Sequence, residues 1–165
     1  MADVKRRIGE ILMELRFLVD SAEMDDGDIN LLLSNVRHRM GSSIELAGID
    51  LHWQAGELPE IRGLTARDAL AIKLILMEAL SNVLHHSKAE TATLTAKYDR
   101  QASAIFISVQ DDGCGFDPVD AGAGRGLSNM RKRIAGISTG GAIFIDSSPG
   151  RGTTVRLELK VPPSG

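Results

Sequence analysis

Glu78, Asn82 and His86 stand four residues apart in a long helical pattern, and Asp111 ends a β-rich run just before Gly113 and Gly115. A second glycine cluster, Gly124-Arg125-Gly126-Leu127, leads into the next helical pattern. On an α-helix a four-residue step advances only about 40° around the axis, so the first three side chains share one slowly drifting face. A carboxamide such as Asn82 can ligate Mg2+, a hard cation that keeps several waters when phosphates complete its shell. Glu78, one turn earlier, is placed to accept a proton from a nucleophile or to orient a metal-bound water. Asp111 can accept from an exocyclic amine, and glycines at 113 and 115 lack the Cβ that would obstruct a flat ring. Backbone N–H groups at the start of the following helix can hold phosphate oxygens. Taken singly, these pieces read as a polar helix edge and an Asp-Gly turn. Their order and spacing together supply the parts of a nucleotide cleft.

Other glycine motifs are excluded by inspection. No Gly-x-x-x-x-Gly-Lys-Ser/Thr run is present, so the chain has no P-loop. The segment from Gly122 to Leu127 has Leu127 where a dinucleotide fingerprint needs its last glycine, and it lacks a βαβ setting. Asp111 to Phe116 lacks the ligand spacing of a calcium loop. Cys114 is the single cysteine, which excludes a disulfide framework and a thiolate zinc site and suits a reducing cytoplasm. Between two glycines it reads as a permissive filler rather than a nucleophile. The net charge of −3 gives no cationic footprint for nucleic acid, and Lys5-Arg6-Arg7 reads as a solvated helix face. No apolar stretch approaches the roughly 18 residues that span a bilayer, and the N-terminus is too charged for a signal peptide. The segment is expected to be cytoplasmic and to make no membrane contact itself, which leaves room for a parent protein anchored in the inner membrane.

The elements that must position these residues follow from periodicity. Apolar residues from Ile8 to Val19 recur at a helical period within Val4 to Met24. After the break at Asp25-Asp26-Gly27, Asp28 can N-cap a second helix running through Met40. Ile49 to Trp53 alternates as a strand. Thr65, with Asp68 three residues on, opens the longest helix, which is expected to reach about Ser87. Strands are expected at 91–98 and 104–110, a helix at 127–135, and a closing hairpin of strands 142–147 and 153–161 around Pro149-Gly150-Arg151-Gly152. With 43% hydrophobic but only 4% aromatic residues, the core must be aliphatic. The order predicts an α+β fold, a mixed sheet with helices on one face, preceded by a short helical segment.

Together these residues resemble the ATP-binding domain of the GHKL superfamily, which includes sensor histidine kinases, type II topoisomerases, the ninety-kilodalton heat-shock chaperone and mismatch-repair ATPases. The run Glu78 to Ala89 resembles the N-box, Asp111 to Pro118 the first glycine box, Gly124 to Arg131 the second, and Gly150 to Val155 the closing strand motif. The short lid and the Gly-Leu-x-Asn-Met-Arg wording are most similar to the NarL/DesK-type sensor histidine kinases, and Glu14 to Ser21 resembles the end of their dimerisation helix. The resemblance implies a Bergerat-type α/β sandwich over residues 41–165, with residues 1–40 as the end of a dimerisation and phosphotransfer helix and its linker.

It also implies roles. Asn82 would bind Mg2+, and Glu78 would assist phosphoryl transfer. Asp111 would hold the adenine amino group of ATP, backed by Gly113, Gly115 and Thr153. Gly124, Gly126 and Leu127 would form the lid hinge and phosphate contacts, and His86 stands at the N-box histidine. Two positions depart from the family: His85 replaces a usual lysine near the phosphates, and Arg125 replaces a usual histidine. An imidazole at 85 would make that contact pH-sensitive. The kinase class phosphorylates a histidine within a helical Glu-Leu-His-Asp-type box, and none occurs here. The expected activity is therefore that of a catalytic fragment, an ATP-dependent histidine kinase whose acceptor lies on an upstream dimerisation helix of a homodimer and whose partner is a response regulator receiver domain. An anti-sigma-type serine kinase of the same superfamily, or a non-catalytic nucleotide-sensing module, would use the same residues.

Overall fold

The computed structural model describes residues 28–117 and 125–163. The helix expected over Val4 to Met24, the segment Pro118 to Gly124 and the two C-terminal residues lie outside the described residues. Helix α1 (Ile29–Leu46) starts where Asp28 caps it, its carboxylate accepting from the backbone of Asn30 and Leu31 at 3.0 Å each. Ile29, Leu32, Leu33 and Val36 are buried, as the periodicity requires. The helix does not end at Met40. It continues through Gly41 to Leu46, because Ile44 extends the same stripe into the core with no exposed surface. Burying that side chain outweighs the roughly 1 kcal/mol cost of a mid-helix glycine. The expected division between residues 40 and 41 therefore falls inside a core helix. Chain reversal comes later, at Gly48, where φ is +81°.

The remaining elements are β1 (Asp50–Ala55), α2 (Ala66–Asn82), a π-helical turn (Val83–Ser87), β2 (Thr91–Asp99), β3 (Ala104–Asp111), α3 (Arg125–Ala135), β4 (Gly141–Ser147) and β5 (Thr153–Lys160). The five strands form one mixed sheet in the order β1-β2-β3-β5-β4. β1 and β2 run parallel, and the other neighbours are antiparallel. The pleat sorts the faces. Leu94, Ile107 and Leu157 are fully buried on one face beneath the helices. On the other face lie Thr95, Ser108 and Arg156 in register across three strands, with the Thr95 and Ser108 hydroxyls 2.6 Å apart. All described helices therefore lie on one face, as the α+β reading expects.

Helix α2 begins with the reciprocal capping box anticipated for Thr65 and Asp68, each backbone N–H donating to the other's side chain at 3.1 Å. Asp68 does more than cap. It is 3% exposed and also accepts from the Ser138 backbone at 3.1 Å and from the Ser138 hydroxyl. That carboxylate fastens the start of α2 to the segment leaving α3.

Candidate functional site

A cavity of about 620 Å³ opens between α2 with its π-helical turn, the ends of β3 and β5, and the start of α3. Ala79, Val83, Val109 and Val155 give it apolar walls. Glu78, Asn82 and His86 line it from the helix side, as their spacing implies. Asp111, Gly115 and Thr153 line it from the sheet, and Arg125, Gly126 and Leu127 from the start of α3. His85 does not line it. Its exposed ring stands edge-on to that of His86, with centroids 6.4 Å apart. Gly124 lies outside the described residues.

The π-helical turn is the local feature the four-residue spacing did not reveal. Helix α2 loosens after Asn82 into i→i+5 bonding and stops at Lys88, whose φ is +53°. Ser87 closes it, donating its hydroxyl to the Val83 carbonyl at 2.6 Å and accepting from the Ala89 N–H at 3.0 Å. Its own carbonyl accepts from the Cys114 N–H at 2.7 Å. The loop after β3 is thereby pressed onto this turn.

That packing changes the role of one glycine. Gly113 does not face the cavity; a Cβ there would run into the Ser87 backbone, so the residue is required by contact between two chain segments. Gly152, at φ +71°, is held equally close to the Asp111 carbonyl. Gly115, at φ +57°, does line the cavity, and a Cβ on it would strike the Ser148 carbonyl. A Cβ on Gly126 would instead meet the carboxylate of Glu78, so the start of α3 rests against that side chain.

Asp111 is 7% exposed at the base of the cavity and accepts from the Gly113 N–H at 2.9 Å. Burial pushes its carboxyl above the usual aspartate range; the amides of Gly113 and Thr153 oppose this, and the neighbouring Asp112 charge adds to it. Asp112 is pulled the other way. It accepts from the Thr91 backbone at 3.0 Å, the Thr91 hydroxyl at 2.8 Å and the Glu90 N–H at 2.9 Å, which hold its carboxyl below the usual range. The two neighbours thus differ in place: Asp111 lines the cavity, while Asp112 fixes the start of β2 beside the loop.

Sequence reasoning missed Ser87, Ser147 and the clamping role of Asp112. Ser147, 7% exposed, accepts from the Phe116 N–H at 2.9 Å, donates to the Gly152 carbonyl at 3.0 Å and lies 2.9 Å from the Thr153 hydroxyl. The sequence carried one weak signal for it: a small polar residue at the inner end of a strand facing the closing glycine turn.

The cavity volume and its few convergent polar groups suit a nucleotide. A single buried acceptor at an apolar base suits a purine carrying an exocyclic amine. Among the described residues no group of three His, Cys, Asp or Glu could hold a metal. A cation here would take few protein ligands, such as the Asn82 carboxamide, with phosphates and water completing its shell. That donor set fits Mg2+.

Residues 67–163 match the family described as histidine kinase-, DNA gyrase B- and HSP90-like ATPase. The chain is 27% identical over 133 residues to the histidine-protein kinase/phosphatase DegS of Bacillus subtilis, covering 78% of this chain and 34% of that protein. It is 34% identical over 116 residues to the sensor histidine kinase LiaS of Bacillus subtilis, covering 69% and 29%. The chain spans about a third or less of the length of these relatives. Among solved structures, the catalytic domain of histidine kinase ThkA superposes with a TM-score of 0.64 at 20% identity, covering 82% of this chain and 95% of that one. The histidine kinase domain of the Erythrobacter litoralis blue-light kinase gives 0.63 at 18%, covering 79% and 61%. These superpositions establish the fold. The chain belongs to the histidine kinase-, DNA gyrase B- and HSP90-like ATPase family.

Proposed function

We propose that this domain binds Mg-ATP and presents its γ-phosphate to a histidine on a dimerisation helix. The observation that carries the reading is the buried Asp111 carboxylate at the base of an apolar cavity whose mouth joins the polar edge of α2 to the start of α3. In this reading Asp111 accepts from the adenine amine, while Val109 and Val155 cover the ring. Asn82 would hold the magnesium ion, whose charge would offset that developing on the phosphates. Glu78 would take the proton from the attacking imidazole or orient it. Arg125 and the backbone of Gly126 and Leu127 would hold the phosphates, with His86 at the cavity edge. His85 is left out of the ligand set, because it does not line the cavity.

None of the four histidines lies in an acidic helical box of the phosphoacceptor kind; His38 and His52 are exposed on α1 and β1. We therefore place the acceptor on a helix of a longer homodimeric protein. Residues before Asp28 are assigned to the end of that helix on their resemblance alone. The ATP-binding unit then begins at α1, whose apolar face belongs to the core. The onward partner would be a response regulator receiver domain. Among the described residues no helix is long and apolar enough to cross a membrane, and we place the domain on the cytoplasmic side, where ATP is supplied.

The test is direct. The domain is incubated with Mg-ATP and the dimerisation segment of its parent protein, and acid-labile phosphohistidine is assayed. Label on a histidine of that segment supports the proposal. Clear ATP binding without phosphohistidine would sink the kinase reading and leave a nucleotide sensor.

A further inference from the structure

Two side chains face the base end of the cavity from the sheet, Asp111 and Thr153, paired across β3 and β5. A third, Ser147, does not line the cavity but pairs with Thr153 across β4 and β5. A serine hydroxyl has one proton and two lone pairs. At Ser147 all three are spoken for. The Phe116 N–H occupies one lone pair at 2.9 Å. The Gly152 carbonyl, 3.0 Å away, can only accept, so it takes the proton. The Thr153 hydroxyl at 2.9 Å must then be the donor to the remaining lone pair. Were Ser147 to donate to Thr153 instead, the carbonyl of the buried Gly152 would lose this donor.

The consequence reaches the cavity. With its proton turned to Ser147, Thr153 offers the cavity only lone pairs. The ionised Asp111 likewise only accepts. We propose that Ser147 is a positioning residue that fixes the Thr153 proton away from the cavity, so that the base-reading edge is all-acceptor and selects a 6-amino purine over a 6-oxo purine. This rests on reading the cavity as a nucleotide site. A 6-amino group brings donors to both acceptors. A 6-oxo group meets them with a third acceptor and is left unpaired.

Calorimetric titration of the chain with Mg-ATP and Mg-ITP tests this, because inosine carries a 6-oxo group beside a protonated N1 where adenosine carries a 6-amino group beside a bare N1. The wild-type chain is expected to prefer ATP. Ser147→Ala frees the Thr153 hydroxyl to turn and donate to a 6-oxo group, and should lower the ATP-to-ITP preference by about tenfold. In a Thr153→Val background no hydroxyl remains to turn, so adding Ser147→Ala should leave the preference unchanged. A merely structural Ser147 would weaken both nucleotides alike, or shift the preference equally in both backgrounds; either result overturns the proposal. If the alanine variant does not fold, Ser147→Cys keeps the volume with a weaker donor and acceptor and should shift the preference in the same direction; no shift overturns the proposal. Asp111→Asn serves as the control for the cavity. If the wild-type chain fails to bind ATP, or Asp111→Asn leaves binding intact, the nucleotide reading falls and this proposal with it.

Discussion

In the proposed reading Asp111 must be buried to reach a base and charged to accept from it, and those demands conflict. Burial raises its carboxyl above the usual range. With the folded-state value above the unfolded one, the stability available below the unfolded value is lost as pH rises through the raised folded value. Asp111→Asn should therefore melt at a higher temperature than wild type at neutral pH without nucleotide, while ATP affinity falls by about tenfold to a hundredfold. A melting scan and a titration on the same sample would check both. The wild-type chain should also lose ATP affinity on acidification at a pH above that where an ordinary aspartate titrates, since protonation converts the acceptor into a donor. A binding profile flat down to the ordinary aspartate range would contradict the assignment.

At the scale of elements, glycine substitutions separate packing from chemistry. A Cβ on Gly113 meets the backbone of Ser87 in the π-helical turn, and neither segment can give way cheaply. Gly113→Ala should cost about 1–3 kcal/mol and lower the melting temperature by roughly 5–10 °C. A Cβ on Gly126 meets only the carboxylate end of Glu78, which can swing aside. Gly126→Ala should fold with a melting temperature near that of wild type, yet lose phosphotransfer by about tenfold or more if Glu78 must hold its place. Equal thermal losses in the two variants would show that the contact with Glu78 is structural.

On the scale of the whole molecule, Asp68 is the fastener. Its burial acts to raise its carboxyl, but the hydrogen bonds from Ser138 and Thr65 outweigh that and hold it below the usual range. The depressed value means that its stabilisation is present above the unfolded aspartate value and is lost as pH falls through the folded one. Asp68→Ala removes a helix cap and the tie to the segment after α3, and should cost about 2 kcal/mol or more at neutral pH. Its melting temperature should also fall less steeply than that of wild type below about pH 4. Because the tie joins the far end of α3 to α2, the variant should also weaken ATP binding. Affinity unchanged in the folded variant would show that α3 needs no anchor at that end.

The sequence by itself determined the elements and the composition of the site. Helical and alternating periods located α2 and all five strands, Thr65 and Asp68 wrote the capping box, and the four-residue spacing of Glu78, Asn82 and His86 put three cavity residues on one side of one helical run. These are local properties, set by bonding a few residues apart. The course of α1 past Gly41 was not legible, because a distant core rather than local propensity decides it. Nor was the exclusion of His85 from the cavity, which follows from the π-helical turn. The role of Gly113 depends on Ser87, 26 residues earlier in the chain, and the direction of the Thr153 proton depends on Ser147, Phe116 and Gly152 meeting at one point. A sequence states which donors and acceptors exist. Only the tertiary structure decides which pairs are close enough to settle where each proton lies.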